Sequence, residues 1–244
     1  MLYIIGIGLD KQDITLKGLE VMKGCDKLYL DIYTSALPYS MKELEEIAGQ
    51  DIFPAGRALL ENEADSLIME AKSNKIGILV AGDPLSATTH IDLILRAGKA
   101  KVKTEIVHSV SVLTAVAETG LQLYKFGKIA SIPKWKKSYE PESWYDLMAH
   151  NLLNQAHTLL LLDIEIEVPE ALNYIYEISR KRNDKILDRE IILCSCLGTS
   201  RRKIKVGKIK DLAKQKSLDI RMPACFILPA KLHFVEEEML SQFR

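Results

Sequence analysis

Over the first 110 residues, short apolar runs alternate regularly with segments of helical period, and this pattern limits the fold most. Tyr3–Ile7 is a β-rich run that passes into Gly6-Ile7-Gly8, and Asp13-Ile14-Thr15 opens a segment with Leu16, Leu19 and Met22 at helical spacing. Lys27–Ile32, Asp51–Phe53, Ile76–Ala81 and Thr104–His108 read as further strands, with helices over Met41–Ala48, Glu63–Ser73 and Thr89–Ala97. Strands and helices in turn predict βαβ units and a mostly parallel sheet. The strands are nearly continuous in apolar residues, the pattern of a sheet covered on both faces.

The second half has a different rhythm. Strands are expected at Lys128–Ile132, Thr158–Ile164, Glu190–Cys196, Lys203–Gly207 and Cys225–Pro229, and helices at Val112–Thr119, Ser143–Leu153 and Val168–Arg182. Pro169 suits the first turn of the last of these. A long loop runs through Pro133, Lys134, Trp135, Lys136 and Lys137 to Pro141. The predicted division is an N-terminal α/β domain, 1–110, and a C-terminal α/β domain, 111–244. No Gly/Ser linker separates them, so close packing is expected.

Several function classes are excluded early. Lys plus Arg and Asp plus Glu both number 33 in 244 residues, which argues against a dedicated nucleic-acid binder. No apolar run reaches the roughly 18 residues of a membrane span. The N-terminus shows no basic leader or cleavage site, so no signal peptide is expected. Cys25, Cys194, Cys196 and Cys225 lack metal-ligand or C-x-x-C spacing and read as reduced core thiols of a cytoplasmic protein. The histidines His90, His108, His150, His157 and His233 are scattered, and no metal site is expected. Glu236-Glu237-Glu238 reads as a solvated helix face.

The candidate site lies in the loops after strands. Gly6-Ile7-Gly8 is followed by Lys11 where a dinucleotide fingerprint needs its third glycine, so an ordinary Rossmann dehydrogenase is disfavoured. The two glycines serve either a tight turn or the close approach of a ligand. Val80-Ala81-Gly82-Asp83-Pro84-Leu85-Ser86-Ala87-Thr88-Thr89-His90 leaves a buried strand for a helix. Asp83 either contacts a ligand or forms an Asx turn, and Thr89 is the expected cap. Ser111 would cap the helix after His108-Ser109-Val110, and Leu162-Asp163 closes another apolar strand. Walker, Gly-x-Ser-x-Gly and His-Glu-x-x-His motifs are absent.

The motifs in order resemble a known family. They are Gly-Ile-Gly-Leu at 6–9, Asp-Ile-Thr-Leu-Lys-Gly-Leu-Glu at 13–20, Tyr33-Thr34-Ser35, and Gly82-Asp83-Pro84-Leu85 with Ala87-Thr88-Thr89-His90. Thr119-Gly120-Leu121, Tyr124-Lys125-Phe126-Gly127-Lys128, Pro141 to Asp146, His157 to Ile164 and Lys231-Leu232-His233 follow. From Leu2 to about Leu240 the chain is similar to the diphthine synthases, of the wider tetrapyrrole-methylase-like class, and its compact length resembles the archaeal members.

That resemblance implies two α/β domains, a mostly parallel sheet in the first and a mixed sheet in the second, with S-adenosylmethionine in the cleft between them, and a homodimer. It implies successive methylation (trimethylation) of the amino group of the 2-(3-amino-3-carboxypropyl)histidine of translation elongation factor 2, forming diphthine in diphthamide biosynthesis. Cofactor contacts carry over to Leu9, Asp83, Ser86, Ser111, Val112, Leu162, Leu197 and Ala224. Relatives often carry Arg where Cys196 stands and His where Ala224 stands. No catalytic base is assigned. A methylase of a corrin or porphyrin is the alternative within the class, disfavoured by Ala87–His90 and 124–128, and a non-catalytic cofactor-binding module is the other. Lys134, Lys136, Lys137 and Trp135 form either a dock for an acidic protein partner or a solvated loop.

Overall fold

The computed structural model describes residues 1–34, 36–215 and 217–244; Ser35 of the Tyr33-Thr34-Ser35 motif lies outside the described residues. Two compact units divide the chain, Met1–Leu113 and Thr114–Arg244.

The first unit runs β1 (Leu2–Gly6), α1 (Leu16–Lys23), β2 (Lys27–Asp31), α2 (Met41–Ala48), β3 (Ile52–Ala55), α3 (Ala64–Glu70), β4 (Ile76–Val80), α4 (Ile91–Lys99) and β5 (Thr104–Val107). Its sheet has the order β3-β2-β4-β1-β5, and every pairing is parallel. Both faces are covered, as the apolar strands require. Leu2, Ile4, Ile76, Ile78 and Val80 pack with Leu67 and Ile68 of α3 and Leu93 of α4. The alternate residues Ile5, Leu28, Leu30 and Leu79 pack with Met22 of α1 and Leu44 of α2. Local signals start the helices where expected: Thr15 Oγ1 accepts from Gly18 N at 2.9 Å, and Ser40 and Glu43 form a capping box. A π-helical turn over Ala58–Asn62 precedes α3.

Across the division lies α5 (Val112–Ala115), continued by a 3-10 turn to Thr119. The second unit then runs β6 (Ala130–Ile132), α6 (Ser143–Leu153), β7 (Thr158–Leu162), α7 (Val168–Arg182), β8 (Glu190–Ser195), β9 (Lys203–Lys208), α8 (Ile209–Leu212), β10 (Ala224–Leu228) and α9 (Phe234–Ser241). Its sheet order is β6-β7-β10-β8-β9. Only β6 and β7 are parallel, so this sheet is mixed. Leu160, Leu162, Ile191, Leu193, Phe226 and Leu228 project from it into a core closed by Trp144, Tyr145 and Met148 of α6 and Leu172, Ile175 and Ile178 of α7. Pro169 sits in the first turn of α7, and Asn183, at φ 50°, ends that helix in the left-handed conformation.

All four cysteines are buried and free, Cys194 and Cys225 facing each other across β8 and β10. Hydrogen bonding with Cys225, together with burial, raises the Cys194 thiol well above its ordinary pKa. Among the described residues no helix is long and apolar enough to cross a membrane, and no cluster of three metal-ligating side chains occurs.

Candidate functional site

Strand order creates the first rim. β1 lies between β4 and β5, so the loops after these three strands emerge side by side. The chain leaves β1 toward β2 on one side and β4 toward β5 on the other. Right-handed crossovers then place α1 and α4 on opposite faces, the topology at whose strand ends open α/β sheets bind ligands.

Glycines let the three loops meet. Gly82 N donates to Gly8 O at 2.8 Å and Gly8 N to Gly82 O at 3.2 Å. Gly8 and Gly82 take left-handed φ of 74° and 77°. A Cβ on Gly6 would lie 2.7 Å from Gly82 O and 2.8 Å from Pro84 Cδ, and one on Gly8 2.2 Å from Asp13 Cβ. Beside Gly82 there is space instead: along its missing side chain the nearest atoms are Val110 O at 3.8 Å and Ser111 Cα at 4.0 Å. A Cβ there would make only ordinary contact, so Gly82 is needed for its left-handed φ.

Asp83 is held at the centre of the rim. Its Oδ1 accepts from Leu85 N at 3.0 Å and Ser86 Oγ at 3.3 Å, and its Oδ2 accepts from Ser109 N at 3.3 Å. His108 Nδ1 lies 2.7 Å from the same Oδ2. Burial works to raise the Asp83 carboxyl, but donors from Leu85 N, His108 and Ser109 N outweigh it and hold it below the ordinary carboxylate range. The expected Asx turn is therefore present. Leu9 N and Asp10 N both donate to Asp13 Oδ2 at 3.0 Å, and Ser109 Oγ donates to Asp13 O at 3.0 Å. Ser111 Oγ accepts from Leu113 N at 3.2 Å, the cap expected for α5, which Val112 begins.

The helix expected to begin near Thr89 starts at Ile91, and no Thr caps it. Thr88 Oγ1 instead donates to Pro84 O at 2.9 Å and accepts from His90 N at 3.4 Å, because α4 starts only at Ile91. His90 is buried with Asp31: its Nε2 is 3.0 Å from Asp31 Oδ2 but out of line for a hydrogen bond. Asp31 also accepts from Tyr33 N, Thr34 N and the Thr34 hydroxyl.

Leu162, Leu197 and Ala224 gather at one end of the second sheet. β10 runs antiparallel to β7 and β8, so the start of β10 meets the ends of its neighbours: Cys225 pairs with Leu161 and Ala224 with Ser195. Cys196 N donates to Pro223 O at 2.9 Å, and Ser195 Oγ donates to Arg221 O at 2.6 Å. Glu118 accepts from Gly198 N and from Arg202, both at 2.8 Å. The structure thus brings the eight expected residues into two sets, five on the first rim and three here. Sequence reasoning gives Glu118 no role and places Asp13 only at a helix opening and in the 13–20 motif, whereas both carboxylates brace these loops.

One reading of the second unit changes. Glu236 is not solvated but fully buried, the hub of a knot at the opposite end of the second sheet, where β7 begins and β10 ends. It accepts from His157 Nε2 at 3.1 Å, Gln122 N at 3.0 Å, His233 N at 2.7 Å and Lys125 Nζ. His157 Nδ1 accepts from Ala230 N at 3.0 Å. Burial opposes ionisation of Glu236, but these donors prevail and pull its pKa down to about 2. The Lys134 loop is also engaged: Trp135 stacks on Tyr174 with centroids 3.9 Å apart, and Lys134 pairs with Glu170. Lys136 reaches Glu165 at 3.7 Å.

Comparison with known proteins agrees with this architecture. Residues 1–213 match the family model for tetrapyrrole (corrin/porphyrin) methylases. The chain is similar to a diphthine synthase of Methanococcus maripaludis, 39% identical over 99% of this chain and 98% of that protein. It is likewise similar to a human diphthine methyl ester synthase, 37% identical over 100% of this chain and 95% of that protein. A solved structure of a diphthine synthase superposes with a TM-score of 0.90 at 33% identity, covering 99% of this chain and 95% of the other. The chain is a methyltransferase that belongs to the tetrapyrrole methylase family and, within it, to the diphthine synthases.

Proposed function

We propose that this protein catalyses the methylation step of diphthamide biosynthesis, transferring methyl groups from S-adenosylmethionine to the amino group of the aminocarboxypropyl-histidine of translation elongation factor 2. The observation that carries this reading is end-to-end similarity to diphthine synthases and diphthine methyl ester synthases of methanogens, fungi and mammals. The rim supports it, because Gly6, Gly8 and Gly82 bring the backbones of three strand-end loops together where open α/β sheets bind ligands.

When bound, S-adenosylmethionine supplies a methyl carbon already activated by the sulfonium charge. What remains for the chain is alignment of the acceptor nitrogen with that carbon and removal of the acceptor's proton. Leu9, Ser86, Ser111, Val112 and the backbone of Asp83 are the proposed cofactor contacts on the first rim, and Leu162, Leu197 and Ala224 those on the second sheet. With all four acceptor positions of Asp83 already taken by the chain, its part is to hold the loop's shape. Homodimeric assembly and action in the cytoplasm, where elongation factor 2 works, complete the proposal.

A ligand that binds only the folded state stabilises it by RT ln(1 + [L]/Kd), about 2.7 kcal/mol at a hundredfold excess. S-adenosylhomocysteine should therefore raise the melting temperature, whereas NAD and ATP should not. Mass spectrometry of aminocarboxypropyl-modified elongation factor 2 after incubation with labelled S-adenosylmethionine should show three added methyls. A fourth would identify the methyl ester instead, and no added methyl would reject the reading.

A further inference from the structure

We infer that Asp83 and His108 form a carboxylate–imidazole dyad in which His108 Nε2 removes the proton from the acceptor ammonium. The inference rests on the methyltransferase reading above and assigns the proton acceptor for it.

The dyad is a product of strand order. His108 follows β5 and Asp83 follows β4, and β1 lies between those strands. The absence of a side chain at Gly6, whose Cβ would meet Gly82 O, Pro84 Cδ and Ser109 Cβ at 2.7, 2.8 and 3.1 Å, lets the two loops close over the end of β1. The Asp83 carboxylate then reaches Nδ1 at 2.7 Å and, through the same oxygen, Ser109 N next in the chain. Fastened at its other oxygen by Leu85 N and Ser86 Oγ, it is fixed in position and aim. A carboxylate at Nδ1 selects the tautomer with hydrogen on Nδ1 and leaves the Nε2 lone pair available. The Asp83 side chain is 12% exposed and that of His108 68% exposed, so the anchor is covered while the base is open. Nε2 meets no protein partner among the described residues.

The chemistry gives such a group a task. An ammonium has no lone pair. Its N–H bond must break, leaving the electron pair on nitrogen and the proton on Nε2. That pair forms the new N–C bond as the C–S bond breaks, its electrons passing to sulfur to give the neutral thioether. Imidazolium then returns the proton to water before the next transfer. Each of the three N-methylations releases one proton in this way. Asp83 touches no reacting atom here and is a positioning residue.

The test compares wild-type protein with His108→Ala and His108→Gln, using aminocarboxypropyl-modified elongation factor 2 and labelled S-adenosylmethionine. General-base removal should lower kcat about a hundredfold, toward the lower end of what such groups contribute. KM for the protein substrate and the affinity for S-adenosylhomocysteine by calorimetry should be unchanged within about twofold, and the melting temperature should not shift. Added imidazole should restore turnover to His108→Ala and leave wild type unaffected. A His108→Ala protein that turns over at the wild-type rate overturns the dyad, as does a loss that imidazole does not relieve. If wild type itself transfers no label, the substrate reading fails and the dyad with it; label from wild type and equally from His108→Ala brings down the dyad alone.

Discussion

Two carboxylate–histidine pairs at strand ends show how the same groups serve opposite ends. In the second unit, Glu236 and His157 are buried, and both ring nitrogens are consumed, Nδ1 by Ala230 N and Nε2 by Glu236. Nothing is left over for chemistry; the pair ties α9, the 122–126 segment and the start of β7 into one knot. On the first rim, Asp83 is equally well held, but its histidine is open and spends only one nitrogen. A fully satisfied polar network rigidifies, and a partly free one in a solvent-facing rim can react. Within the motif Tyr124-Lys125-Phe126-Gly127-Lys128, which bears much of the family resemblance, Lys125 and Phe126 join the knot, whereas Tyr124 stays 82% exposed.

The largest effect expected is on stability. Glu236→Ala leaves Lys125 and His157 facing an uncompensated site and should cost about 3–5 kcal/mol, as in the breaking of other buried pairs. Affinity of the folded fraction for S-adenosylhomocysteine should not change. His108→Ala, on an exposed side chain, should cost within about 0.5 kcal/mol. Equal losses in thermal denaturation would erase the distinction between the two pairs.

Next come the rim glycines. Gly8→Ala must take a left-handed φ and displace Asp13, whose Cβ would lie 2.2 Å away, so about 2 kcal/mol or more should be lost. Because Asp13 also holds Leu9 N, cofactor affinity should fall together with stability, a coupling that Glu236→Ala lacks.

Acid probes the buried pair. Glu236 sits at about 2 against an ordinary 4.5, so its contribution is full above about pH 4.5 and is lost as pH falls toward 2. Burial lowers the His157 pKa below its ordinary 6.5, against the pull of Glu236, so stability tied to neutral His157 is lost as pH falls below that value. Denaturant titrations across pH 7 to 3 should show declining stability, and Glu236→Gln should abolish the lower part of the decline.

The smallest effect is at Asp83. Asn keeps the Asx turn but can present its amide nitrogen to His108, selecting the wrong tautomer. Asp83→Asn should therefore leave S-adenosylhomocysteine affinity within about tenfold while turnover drops more steeply. A parallel fall in both, measured by calorimetry and label transfer, would place the carboxylate on the cofactor instead.

Much of the first unit was legible because parallel strands covered on both faces must be apolar throughout, and helices of regular period separate them. The loops after β1, β4 and β5 were legible as ligand positions for the same reason. The Asp83–His108 contact was not, since residues 25 positions apart meet only once β1 is known to lie between β4 and β5. Glu236 was misread because three successive glutamates look solvated. The overlooked signal was His233 at the N-cap with Glu236 three residues on, a capping box built on an unusual cap residue. The π turn at Ala58–Asn62 has no periodic signature to find.

The central claim is that ligand chemistry belongs to the glycine rim and not to the buried knot. Amide hydrogen exchange with and without S-adenosylhomocysteine measures this directly. Slowed exchange is expected at residues 7–10, 82–88 and 109–113, accompanied by 195–198 and 224–225, with 122–128 and 231–237 unchanged. Protection centred on the knot, with the rim unaffected, would contradict it.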